Sequence, residues 1–394
     1  LGLAGYASLM SVILRQIQHH PKLQGICDDN AFVPYTNIAL SMLSVFLSFI
    51  VSVQHPIIMQ RAVICLAPVI AAIGLLVLQR DTRWQNLRGL ILAQLFCFPL
   101  LVSWIYITPD GSFVWPSRII GYIQAFAFIT LVMGIFVSRM PNGDCDVPDP
   151  LSWQSVTRRC MSVVSFLGLL AIGVVGFGQV QSLVQHQTLP LTMPMIIGLI
   201  VAYALLIVLC LLFALRDRFD VLRIPDAHKG AYVYIAQLLG GVLALHIRTT
   251  MPWLFHGLVT PFWPLVVLGI AVGGIAIGEM CTRRNLFVIG KPFTQTGTWL
   301  PLVACFDLIA HVSRIHFSLV LLAVGAIYAV LSVMRRSMLL GMIATFALNG
   351  SLWYLLHHTQ GLGITEHPQL WIIPLAIAVL AAGYLNRQQL TTEQ

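Results

Sequence analysis

Residues 195–229 read MIIGLIVAYALLIVLCLLFALRDRFDVLRIPDAHK. The first 21 of these, Met195–Leu215, hold no charged side chain. As an α-helix they would rise about 32 Å, which matches the hydrocarbon thickness of a bilayer. The remainder alternates sign through Arg216, Asp217, Arg218, Asp220, Arg223 and Asp226. That pattern reads as a solvated segment at the membrane surface, with docking of a partner as the other reading.

The same alternation of apolar block and arginine-bearing loop recurs from Val33 to Asn386. Twelve spans are expected, at 34–53, 62–78, 89–107, 119–137, 161–179, 195–215, 231–247, 262–280, 298–313, 317–334, 337–356 and 370–386. Lipid offers no partner to a backbone N–H or C=O, so blocks of this length must close their hydrogen bonds as helices. The expected fold is all-α, a polytopic helical transmembrane bundle of about 12 spans. The ninth span is the weakest by hydropathy, because it contains Pro301, Asp307 and His311.

Composition agrees. The chain is 58% hydrophobic and 9% charged, with a net charge of +8 and a mean hydropathy of +0.87. A soluble domain carries about 25% charged residues. The positive excess would suggest nucleic acid in a soluble protein. Here the basic residues lie between apolar blocks, so the excess reads as orientation in the bilayer and attraction to anionic headgroups, and no nucleic-acid partner is expected.

Of the 22 Lys and Arg residues, all but Arg61, Arg118, Arg248 and Arg314 fall on alternate loops or the terminal segments of one side. The positive-inside rule makes that side cytoplasmic and places both ends of the chain there. Removing the ninth span would carry Arg335, Arg336 and Arg387 outside, so the alternation supports it. Trp104, Trp263, Trp353 and Trp371 fall at outer helix ends and Trp299 at an inner one, where indole rings concentrate. The division expected is a cytoplasmic N-terminal segment 1–33, a membrane domain 34–386 and a cytoplasmic tail 387–394, in a bacterial-type inner (plasma) membrane. Leu1 is not an initiator Met, and Leu1–Leu14 lacks the basic start of a signal peptide. It reads as the tail of a preceding helix.

Candidate chemistry is sparse. No catalytic, nucleotide-binding or cofactor motif stands out, and no cofactor is expected. Cys65, Cys97, Cys210 and Cys305 lie in spans, the other cysteines lie toward the cytoplasmic side, and there is no CxxC. Neither disulfides nor a zinc motif is therefore expected. In the eighth span Gly269 and Gly273, then Gly274 and Gly278, repeat at four-residue spacing. Such spacing lets helices approach closely, either within one subunit or between copies.

Asp307, His311 and Arg314 share a helix face at i, i+4, i+7. A carboxylate at mid-membrane needs a partner or a water-filled cavity, so this set reads as an ion or proton relay, or as an internal pair pinning helices. His246, His256, His357, His358 and His367 fall on the outer side with most of the other histidines. Gathered together they would sense pH or hold a metal. Scattered, they are interfacial residues, and no HxH or HxxxH spacing is present. Glu279 and Arg283 suit an i, i+4 ion pair, and Asn349 an interhelical hydrogen bond.

The C-terminal stretch Leu370–Gln394, LWIIPLAIAVLAAGYLNRQQLTTEQ, resembles a segment of long polytopic membrane proteins of planctomycete-type bacteria. The resemblance covers about 25 residues, a span countable from the sequence. It implies that the chain continues beyond Gln394, and it transfers no activity and no site residues.

Three functional readings follow. The first is a non-enzymatic integral membrane protein, the membrane core of a larger assembly, with lipid, other membrane proteins or further copies of itself as partners. The second is a secondary transporter centred on Asp307, which interrupted helices around a midplane site would favour. The third is a membrane-embedded lipid or glycan transferase, which would need a polar catalytic group facing a lipid-accessible groove.

Overall fold

The computed structural model describes residues 2–18, 32–54, 65–79, 87–107, 115–139, 152–185, 191–256, 259–305, 314–360 and 367–385. Among the described residues the secondary structure is helical and there is no strand. The helices are α1 (Gly2–Gln18), α2 (Phe32–Gln54), α3 (Leu66–Gln79), α4 (Arg88–Ile107), α5 (Trp115–Ser138), α6 (Trp153–Val184) and α7 (Met193–Leu215), then α8 (Gly230–Thr250), α9 (Trp263–Arg283), α10 (Phe287–Trp299), α11 (Phe317–Arg335), α12 (Met338–Gln360) and α13 (Pro368–Leu385).

Seven of them, α5 to α9, α11 and α12, are long and apolar enough to cross a membrane. Shorter apolar stretches run through α1, α2, α3, α4 and α13, among them Thr36–Ser48 and Arg88–Val102.

The outer surface is apolar, unlike that of a soluble protein. Phe166 and Phe177 on α6 are 67% and 72% exposed, and Ile197, Val201 and Val208 on α7 are exposed as well. Burying one such side chain is worth about 1.5–3 kcal/mol in water. A continuous surface of them would aggregate there, whereas against lipid it carries no penalty. Within the apolar interior, Ser11, Asn37, Gln94, Thr157, Gln179 and His246 are buried as well. This is a membrane-embedded helical protein.

The chain forms two compact units, Leu1–Thr250 and Met251–Gln394. In the first, α5, α6 and α7 enclose Ile123, Phe126, Ile172, Leu199 and Tyr203, with Leu239 added from α8. Helix α1 packs on α2 and α3 through Ala4 and Ala7, which makes it a bundle element. A Cβ on Gly74 of α3 would fall 2.7 Å from Ser8 Cα, so only glycine lets α1 and α3 approach this closely.

In the second unit α11 and α12 pair around Val320, Val324, Tyr328, Leu340 and Ala344, with Leu268 joining from α9.

The segment expected to form one span at 298–313 is divided. Helix α10 begins at Phe287 and ends at Trp299, and a single helical turn, Pro301–Ala304, follows. Pro301 has no N–H to continue the ladder, and its ring crowds the preceding turn. Asp307 and His311 lie outside the described residues.

The loop after α7 also departs from a plain solvated segment. Asp220 is 2% exposed and accepts hydrogen bonds from the backbone N–H groups of Leu222 at 3.0 Å, Arg223 at 2.9 Å and Ile224 at 2.9 Å. It also accepts from Tyr232 Oη at 2.5 Å. These bonds hold Arg223 at φ 49°, a left-handed conformation that a branchless turn would otherwise leave to glycine. Lys229 is buried between Asp217 and Asp226, 2.5 Å from the latter. Arg216, Asp217, Arg218 and Arg223 remain exposed, as alternating charge predicts.

Candidate functional site

Helix α2, FVPYTNIALSMLSVFLSFIVSVQ, carries Asn37, Ser41, Ser44 and Ser48 at spacings of four, three and four. That is one helix face. All four are buried, while Met42, Leu43, Phe46 and Leu47 on the other faces are exposed. The stripe rises about 16 Å from Asn37 to Ser48. A soluble helix would place leucine and isoleucine at these positions.

Neighbouring helices complete a seam. Asn37 Nδ2 donates to Ser11 Oγ of α1 at 2.6 Å, and Ser11 Oγ donates to the Ala7 carbonyl at 2.9 Å. Because its proton is used there, Ser11 can only accept from Asn37, which fixes the orientation of the Asn37 amide. Gln94 Nε2 of α4 donates to Ser41 Oγ at 2.8 Å. Ser44 and Ser48 donate back to the carbonyls of Ser41 and Ser44, each at 2.7 Å. One turn earlier on α1, Ser8 Oγ donates to the Ile70 carbonyl at 2.6 Å.

Two atoms of this seam have no partner among the described residues, Asn37 Oδ1 and Gln94 Oε1. Their side chains are 4% and 3% exposed. An unsatisfied buried acceptor costs about 1–3 kcal/mol. The seam is therefore an uncharged, oxygen-rich lining with room in its chemistry for a donor or a cation.

A second polar centre lies between α6, α7 and α8. Gln179 and His246 are fully buried, with Gln179 Nε2 2.7 Å from His246 Nδ1. His246 Nε2 lies 3.3 Å from the Ile196 carbonyl, and the Tyr203 ring meets the imidazole edge-on at 6.3 Å. A carbonyl only accepts, so the imidazole proton sits on Nε2, and Nδ1 accepts from the glutamine amide. Gln179 Oε1 and Tyr203 Oη are left without partners.

Of the candidate histidines of the outer side, His246 belongs to the first unit and the others to the second. His246 is sealed in the interior of the first unit, because its face of α8 packs against α6 and α7. His357 and His358 are exposed at the end of α12, and His367 is exposed before α13. His256 ends the helical turn Trp253–His256. The partner that His358 does find is His316, with ring centroids 6.1 Å apart and Tyr354 stacked on His358 at 5.1 Å. His316 Nδ1 lies 2.6 Å from Ser318 Oγ. No group of three metal-ligating side chains forms among the described residues. Arg314, the described member of the Asp307–His311–Arg314 set, is exposed, and its N–H bonds the Pro261 carbonyl at 3.0 Å.

The glycines of α9 divide by face. A Cβ on Gly278 would fall 2.7 Å from Thr294 N and 2.9 Å from the Gly290 carbonyl, and Gly274 also faces α10, so these two build the α9–α10 hairpin. Gly269 and Gly273 meet nothing within 4 Å. Asn349 donates to the Thr345 carbonyl of its own helix at 2.8 Å, which corrects the expected interhelical bond. Glu279 and Arg283 form the expected pair at 3.4 Å. They close one end of an otherwise apolar groove of about 640 Å³ between α9 and α11, lined by Ile275, Ile327, Val330 and Met334.

The stripe on α2 was visible in the sequence as a heptad of Asn and Ser, and a search centred on charged groups passes over it. Gln94 carried no such signal, because its partner lies 53 residues away. Compared with known proteins, the chain matches no family model, no curated protein and no solved structure.

Proposed function

We propose that this protein is a secondary transporter of the inner membrane, moving a small polar solute or ion along the seam formed by α1, α2 and α4. The observation that carries the reading is the buried stripe Asn37–Ser41–Ser44–Ser48, where Asn37 Oδ1 and the neighbouring Gln94 Oε1 have no partner among the described residues. Polar side chains inside a membrane bundle are costly unless paired, and they mark solute pathways. The Gln179–His246 centre, with its own unpartnered oxygens, is a second polar station in the same unit. The reading moves the proposed site from Asp307 to α2. It keeps the orientation that the loop charges favour, with the Arg216–Lys229 loop on the cytoplasmic side.

A second reading, a membrane core on which other proteins or further copies assemble, is favoured by the open glycines. Gly173, Gly176 and Gly178 on α6, with Gly269 and Gly273 on α9, meet nothing within 4 Å, whereas Gly168 and Gly278 are filled. For the transferase reading, the acid on the α9–α11 groove is already paired with Arg283.

Reconstitution into proteoliposomes on a solid-supported membrane tests transport. Amino acids, sugars and alkali cations serve as probes. The expected result is a charge-movement or counterflow signal from at least one probe, lost in Ser41→Leu. Folded, reconstituted protein that is silent to every probe would overturn the reading and favour the assembly core.

A further inference from the structure

We propose that the seam binds one desolvated monovalent alkali cation, held by Asn37 Oδ1 and Gln94 Oε1 with the hydroxyls of Ser41 and Ser11 beside them. The proposal deepens the transport reading by naming its coupling ion, but binding stands on the geometry of the seam and is measured without flux.

Both amides are pinned by their nitrogens. Asn37 is held by Ser11 at 2.6 Å and Gln94 by Ser41 at 2.8 Å. Asn37 and Ser41 are one turn apart on α2, so the two anchored amides serve the same stretch of the seam. Each leaves a buried carbonyl oxygen with no donor among the described residues. Ser11 of α1 and Gln94 of α4 are thereby tied to Asn37 and Ser41, one turn apart on α2.

The chemistry selects among occupants. Ser8, Ser11, Asn37, Ser41, Ser44, Ser48 and Gln94 hold no titratable group, so the seam cannot take up a proton. It has no carboxylate either, and divalent cations, which shed water reluctantly, are bound through carboxylates. Neutral carbonyl and hydroxyl oxygens are what replaces the hydration shell of a monovalent alkali ion at membrane depth. Arg88, the basic residue of α4, stands six positions from Gln94, about 9 Å along the helix, with its guanidinium over the Trp153 ring. It does not occupy the oxygens.

The test is thermal unfolding of the purified full chain in detergent, in chloride salts of sodium, potassium and N-methyl-D-glucamine at equal ionic strength. A bound cation stabilises by mass action, so one alkali salt should raise Tm by about 3 °C or more over N-methyl-D-glucamine, with saturation. Asn37→Leu and Gln94→Leu should abolish the increment, while Asn349→Leu, an amide change in the second unit, retains it. Equal Tm in the three salts would mean that water alone fills the seam and would overturn the proposal. So would an increment that survives Asn37→Leu and Gln94→Leu. A cation-dependent Tm without flux would leave the site standing and remove the transport reading.

Discussion

At the scale of single residues, the Gln179–His246 contact shows what burial does to a polar pair. Each partner satisfies the other where water is excluded. Removing one leaves the other with an unmade bond, at about 1–3 kcal/mol, whereas removing both at once leaves neither group in need. His246→Leu and Gln179→Leu should therefore each destabilise, and the double variant should cost less than the two combined. A double-mutant cycle of unfolding free energies in detergent checks this, and strict additivity would mean that the two side chains do not interact. How deep such a residue lies is hard to read from sequence. His246 is near the end of an apolar block, and end positions look interfacial until the packing of α6 and α7 around that end is known. Asp220 makes the same point. It shares a loop with Asp217 and Asp226, yet only Asp220 turns inward to three backbone N–H groups. Alternating charge cannot distinguish the three.

At the scale of elements, most helices were legible because a stretch of apolar residues long enough to span lipid has no other way to satisfy its backbone. Where the structure departs, a local cause is visible. The helix expected at 298–313 starts instead at Phe287, between the spans expected at 262–280 and 298–313, and it stops before Pro301. Helix α10 holds its place by backbone proximity to α9, and by Thr298, which accepts from Tyr328 Oη at 2.7 Å and from Arg335 at 2.7 Å. The glycine pattern of α9 was legible, but the face each glycine serves was not. Gly278→Ala should loosen the hairpin by about 1–3 kcal/mol, because the new methyl would meet backbone atoms that cannot rotate away. Gly273→Ala, with open space, should be neutral or stabilising through helix propensity. Limited proteolysis at the α9–α10 turn reports both. Equal protease resistance of the two variants would contradict the packing described.

At the scale of the whole molecule, the placement of the few buried polar groups links the sequence to function. Apolar side chains cover the outside of α6 and α7, while the apolar interior also holds hydroxyls, amides and an imidazole. Low charge and high hydropathy announce a membrane protein, but they do not reveal which polar residues point inward. That depends on helix rotation, which neighbours such as Gln94 and Ser11 decide. The account rests on helices such as α7 crossing the bilayer with this interior between them. Val184, just before α7 in sequence, and Arg218, just after it, are both exposed. The most direct measurement introduces a single cysteine at each position in a cysteine-free background and exposes intact cells to a membrane-impermeant maleimide. The account predicts labelling at Val184→Cys from outside, and labelling at Arg218→Cys only after the cells are opened. Labelling of both positions from the same side would contradict it, because α7 would then not cross the membrane.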